Sequence, residues 1–133
     1  MKEANSLELS KYRLKKANET LLEIDILVQN ELWNTAVNRM YYACYYAVSA
    51  LLIMDSIQVQ THTGVRQMFG LHYIKAGKIE KDLGKFYSDI FDKRQTGDYD
   101  DFMDFTGDEV RELLSPTRNL IDRINQILRK QLF

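Results

Sequence analysis

The chain predicts an all-α fold, a four-helix up-and-down bundle with one extra short helix. Three observations carry that expectation. First, Trp33, Val37, Met40, Cys44, Ala47, Leu51 and Met54 recur at strict 4-3-4-3 spacing, the seam of a helix packed on other helices. Second, Asn5-Ser6-Leu7-Glu8 and Thr106-Gly107-Asp108-Glu109 both have capping-box spacing, each just ahead of a helical repeat. Third, only Ile57 to His62 alternates apolar with polar residues, and no second strand exists to pair with it, so it reads as loop.

The first helix is expected from an Asn5 N-cap to about Asn30, with Leu7, Leu14, Ala17, Leu21, Ile24 and Val28 on its buried face. Lys11, Arg13, Lys15 and Lys16 decorate its other faces, as a solvated surface more readily than as an RNA contact. After Glu31 and Leu32 the central helix starts near Asn34 and ends before Asp55. Beside its seam lie a stripe of Asn34, Asn38, Tyr41, Tyr45, Val48 and Leu52, and another of Arg39, Tyr42, Tyr46 and Ala50. A helix apolar on nearly every side is a buried one. Arg39 is the only charged residue between Leu32 and Met54. A buried guanidinium must be paired, or must face a cleft that an anion enters.

Thr61 or Thr63 caps a short helix through Val65, Met68, Phe69 and Tyr73, which Lys75 to Lys78 breaks. Ile79, Leu83, Phe86, Tyr87, Ile90 and Phe91 define the next helix, with Gly84 a weak point inside it and Gly97 in the place of a C-cap. Four places beyond Ile90 the core-facing stripe reaches Arg94, at a helix end where a cation meets the dipole favourably. An acidic stretch from Asp98 to Asp104 leads to the last helix, along Val110, Leu113, Leu114, Thr117, Ile121, Ile124 and Leu128. Pro116 lies inside that repeat and implies a kink or a two-piece helix. Arg111, Arg118 and Arg129 read as one mixed, solvent-facing surface with Asp122.

Length and composition limit the function classes. At 133 residues the chain is expected to be a single domain over 1–133. A formal charge of -1 argues against a strongly basic nucleic-acid binder, while leaving room for a local basic patch. The lone Cys44 cannot form an internal disulfide, and its seam position makes it a small buried hydrophobe before it is a catalytic thiol. With no signal-peptide pattern and no run long enough for a membrane span, the expected setting is cytoplasmic and reducing.

Several motifs fail on inspection. Gly70 to Gly77-Lys78 has too wide a glycine spacing for a phosphate loop, and Ile79 stands where a magnesium-binding hydroxyl belongs. His62 and His72 have no carboxylate or cysteine at ligand spacing, and the acidic stretch puts Phe102 at a calcium-ligand position. No metal and no cofactor are therefore expected. What survives is Asn38-Arg39 with Tyr41 and Tyr42, then Thr61-His62 with Gly64, then Arg94 to Tyr99.

In those three segments the sequence resembles the HEPN domains, in a small prokaryotic branch of that family. Its pattern A-x-N-R-x-Y-Y-A, T-H-x-G, R-x-x-G-D-Y is met by Ala36 to Ala43, Thr61 to Gly64 and Arg94 to Tyr99, in order along most of the chain. The resemblance implies a helical bundle that forms a homodimer with a cleft near the interface. Many such domains are metal-independent ribonucleases with an Arg followed four to six residues later by a His. Several are toxins that work beside a nucleotidyltransferase. This chain departs from that motif, because Asp98 and Tyr99 follow Arg94 and no histidine does. An ionised Asp98 is a poor general acid, so the imidazole to work with Arg94 would come from another segment, from His62 or His72. Arg66 and His72 fit the motif's spacing in the wrong segment and read as a decoy.

The candidate catalytic residues are thus Arg94, His62 and Asp98. Candidate ligand contacts are Asn38, Arg39, Tyr42, His62, Arg94, Asp98 and Tyr99, for RNA or a nucleotide. Three other readings stay open. Arg39, Arg94 and Asp98 could be a structural ion-pair network, with Tyr42 stacked on Arg39. The chain as a whole could be an active ribonuclease toxin, or a non-enzymatic dimerisation module.

Overall fold

The computed structural model describes residues 2–99 and 104–132, with side chains described for 5–98 and 104–132. The described residues are all-α: α1 (Lys2–Gln29), α2 (Trp33–Met54), α3 (His62–Phe69), α4 (Lys81–Tyr99) and α5 (Gly107–Leu132). A π-helical turn, Gly70–Ile74, continues α3. Cross-helix contacts give the directions. Ser10 Oγ donates to Ala50 O at 2.8 Å, so α1 and α2 are antiparallel. Asn38 meets Asp98 and Tyr42 meets Arg94, so α2 and α4 are antiparallel. Asn18 pairs with Asn125 and Asp25 with Arg118, so α1 and α5 are antiparallel as well. The order is up-down-up-down, as predicted.

α2 is the core. It touches every other helix, and Ala36, Met40, Tyr41, Ala43, Cys44, Ala47 and Val48 are fully enclosed. Burial pushes the Cys44 thiol far up from its ordinary range, which leaves it an inert packing residue. Both α1 and α2 stop sharply without glycine. Glu31 and Ser56 take left-handed φ values of 58° and 60°. Leu32 N and Ile57 N then reach back to Leu27 O and Leu52 O at 2.9 and 2.8 Å, the six-to-one bond of a Schellman end.

Three local expectations change. α1 starts at Lys2, so Asn5 is inside the helix and caps nothing; Lys, Glu and Ala upstream are good helix formers that extend it. Pro116 sits within one continuous α5 instead of dividing it. Arg111, Arg118, Arg129 and Asp122 of α5 are exposed, as the mixed solvent-facing surface required, and two of the arginines also find partners there. Arg111 lies over the Trp33 ring at 5.1 Å and Arg118 pairs with Asp25. Gly97 is not a C-cap, because α4 continues to Tyr99. A Cβ on Gly97 would stand 2.9 Å from the Phe105 ring, so the glycine admits that ring. The Thr106 cap holds, accepting from Glu109 N at 3.2 Å.

Gly84 proves to be a contact point. A Cβ there would meet Ile74 Cγ1 at 2.7 Å, so α4 and the π turn interlock only because the side chain is missing. Tyr73, buried beside it, ties that turn to α2 by donating to Leu51 O at 3.0 Å and to Asp55. Replacing Gly84 by valine overpacks this junction and should lower the unfolding free energy by about 1–3 kcal/mol, measured by denaturant titration. An unchanged midpoint would show that the two elements are not locked together.

Candidate functional site

Helical spacing assembles the site. Asn38, Arg39 and Tyr42 leave α2 on the flank that faces α4, and Arg94 and Asp98 are one turn apart on α4. Because α4 runs past Gly97, Asp98 keeps helical register with Arg94. Their ion pair closes at 2.8 Å from Nε to Oδ2, with the Arg94 side chain only 14% exposed. The N–H direction misses the carboxylate, so this is a charge contact more than an aligned hydrogen bond. Arg94 Nη2 donates to the Tyr42 hydroxyl at 3.0 Å.

Asn38 joins the two halves. Its Oδ1 accepts from Arg39 Nε and Nη2 at 3.1 and 2.9 Å, and its amide nitrogen reaches the Asp98 carboxylate at 3.4 Å. Arg39 itself makes no ion pair among the described residues. Its guanidinium lies 4.8 Å from the Tyr42 ring centre, and that of Arg94 lies 5.3 Å from the same ring. Two cations thus share one tyrosine, and of the two only Arg94 pairs with the Asp98 carboxylate.

His62 arrives from a different element. Thr61 caps α3 by accepting from Gly64 N at 2.9 Å, which places His62 in the first helical position. Its Nδ1 is 2.7 Å from the Tyr41 hydroxyl, and its ring stacks on Tyr45 at 4.4 Å with an interplanar angle of 22°. Tyr42 meets it edge-on at 5.9 Å. Arg94 and His62 therefore lie against the same pair of tyrosines, Tyr41 and Tyr42. Burial, and after it the Arg94 charge, hold the His62 imidazole below its ordinary range. Burial also pushes the Tyr41 hydroxyl up to about 12, so it stays protonated beside the imidazole.

The structure brings together six of the seven sequence-derived ligand residues; the Tyr99 side chain lies outside the described residues, as do Asp100 and Asp101. Arg66 and His72 do not form a pair. Arg66 is bound to Asp92 at 3.4 Å and lies over Phe91, while His72 is exposed on the π turn. Tyr45 was not singled out from sequence, although its i,i+4 relation to Tyr41 put it on the same face. Asn34 was also missed as a clamp. It accepts from Phe105 N at 2.9 Å and donates to Asp104 at 3.1 Å, holding the segment before α5 against α2. No cluster of three metal-ligating side chains occurs among the described residues.

A model of the HEPN domain matches residues 10–127. The chain belongs to the HEPN family. Among its relatives is a "UPF0332 protein" of Thermotoga maritima, 36% identical over 91% of this chain and 92% of that one. Two proteins of Methanocaldococcus jannaschii, named "Putative toxin MJ0142" and "Putative toxin MJ0605", are 31% and 32% identical over 86% of this HEPN chain. The matches span 78% and 84% of their own lengths. No helix is long and apolar enough to cross a membrane among the described residues.

The His62 geometry fixes a pH response. A histidine whose folded pKa is lowered contributes stability that is present above its unfolded value, near 6.5, and is lost as pH falls towards the folded value. His62 should titrate below about 6.5 by NMR. Arg94→Ala should raise that pKa, and Tyr45→Ala should raise it through better solvation. A His62 titrating above 6.5 in the wild type would contradict the arrangement.

Proposed function

We propose that this HEPN chain acts as a single domain in a homodimer, binds RNA at the Arg39–Tyr42–Arg94 cluster, and works in a toxin-type system beside a nucleotidyltransferase. The observation that supports it is the charge balance at Tyr42. Two guanidiniums lie on one ring, and among the described residues the one carboxylate beside them, Asp98, is already engaged by Arg94 and Asn38. The uncompensated cation suits a phosphodiester, and the half-exposed tyrosines suit a stacked base. The toxin names of the two archaeal relatives agree with this reading.

The experiment is binding of single-stranded RNA at several salt concentrations. Arg39→Ala should weaken binding about 10–100-fold, the worth of a charge-assisted contact, and should flatten the salt dependence by about one phosphate. Arg94→Ala should do at least as much. If both variants bind as the wild type does, the cluster is only a structural network.

A second reading, cleavage of the bound strand, is favoured by His62. In the tautomer whose Nδ1–H donates to the Tyr41 oxygen, Nε2 carries a free lone pair on a largely neutral imidazole. It would take the ribose 2′-hydroxyl proton as that oxygen attacks the adjacent phosphorus. The 5′ oxygen would leave with a proton returned by the imidazolium, giving a 2′,3′-cyclic phosphate. The arginines would hold the extra negative charge of the pentacovalent state. His62→Gln should cut cleavage about 10²–10⁴-fold while leaving RNA affinity within a few-fold of wild type. Cleavage surviving that change would exclude His62 as the base.

A further inference from the structure

Beyond His62, on the far side of Tyr45, a groove of about 700 Å³ opens between α1, the C-terminal half of α2 and the loop before α3. Leu9, Ile53 and Tyr45 supply apolar surface, and Gln58 and Gln60 stand on the loop side. Arg13 closes the α1 side and has no ion-pair partner among the described residues. Leu9 is 44% exposed, so a large apolar side chain is open to solvent in the groove. Tyr45 belongs to both places, lining the groove and stacking on His62 at 4.4 Å.

We infer that this groove is a nucleobase pocket for the residue next to the phosphate held at Arg39 and Arg94. The inference rests on the RNA reading above and adds the element that reads sequence. The chemistry narrows the occupant. Each glutamine offers a donor and an acceptor on one planar group, the pattern that pairs with a base edge. A wholly apolar ligand would make no use of the two exposed amides or of Arg13. The lining contains no carboxylate, histidine or cysteine to hold a metal ion. A flat base between Leu9 and Tyr45, with Arg13 on its phosphate, uses every one of these groups. The volume lies within the range of small-ligand pockets and exceeds that of one base. Continuity through Tyr45 favours a base on a strand over a free nucleotide, because the strand engages both places at once.

The test uses the full chain and four single-stranded RNA homohexamers at one salt concentration. The wild type should spread their affinities by about 10-fold or more, as base-edge hydrogen bonding does. The double variant Gln58→Ala, Gln60→Ala should bring them within about 2-fold of one another, with the weakest hexamer unaffected. Leu9→Trp, which fills the groove from an exposed position, should do the same by a different route. The nucleoside monophosphate of the preferred base should bind at least about 100-fold more weakly than its hexamer, because it cannot span both places.

A wild type that binds all four hexamers equally overturns the pocket, and so does a base spread that survives in both groove variants. A monophosphate binding as tightly as the hexamer overturns the strand and leaves a small-nucleotide site. Arg94→Ala separates the two levels. If it weakens all four hexamers alike while the groove variants change nothing, RNA binding stands and the pocket falls. If it changes nothing, the RNA reading falls first.

Discussion

Burial of α2 on nearly all sides is the constraint on which the architecture depends. Its single charge and its seam of small and medium apolar side chains mean that no face can be left to water without loss, at roughly 1.5–3 kcal/mol for each large side chain uncovered. α1 lies along its length, while α3, α4 and α5 cover what α1 cannot. Away from its two ends the cover is incomplete on one flank, where Asn38, Arg39, Tyr42, Tyr45 and Tyr46 stay partly exposed. Functional groups emerge where the packing problem is least fully solved. That flank is rigid because the residues behind it, Met40, Tyr41 and Cys44, are fully enclosed.

The polar chain across the flank is ordered by one amide. Asn38 can satisfy Arg39 only through its oxygen and Asp98 only through its nitrogen, so its orientation is settled by the two charges. This lets like charges sit near one tyrosine without both collapsing onto Asp98. A carboxylate at position 38 would neutralise Arg39 and remove the positive excess; an alanine would release it. The amide keeps the cation directed and unspent.

Much of this was legible in the chain, and for physical reasons. Periodicity reported the helices because burial imposes it, and the stripe that ran into Arg94 did place that residue on the core side of α4. Gly97 was misread because a glycine near a helix end signals a cap when only neighbours in sequence are considered. Its actual reason, the Phe105 ring, lies across the fold. The same holds for Gly84, whose partner Ile74 comes from another element. His62 could be suspected but not located, since its position depends on the path of an irregular loop and on Tyr45, which looked like one of four tyrosines on the central helix. Local signals are written in the sequence; approaches between distant segments are not.

The paired amides of Asn18 and Asn125 carry a consequence for motion. Each donates to the other, at 3.1 and 2.9 Å, in the interface of α1 and α5. Sliding one helix along the other by a turn would strand both groups in an apolar layer, a penalty that packing alone does not impose. Shear between these helices is thereby blocked, and the bundle acts as a fixed frame. The short irregular segment between α2 and α3, which carries Gln58 and Gln60 and leads directly into His62, lies outside this lock.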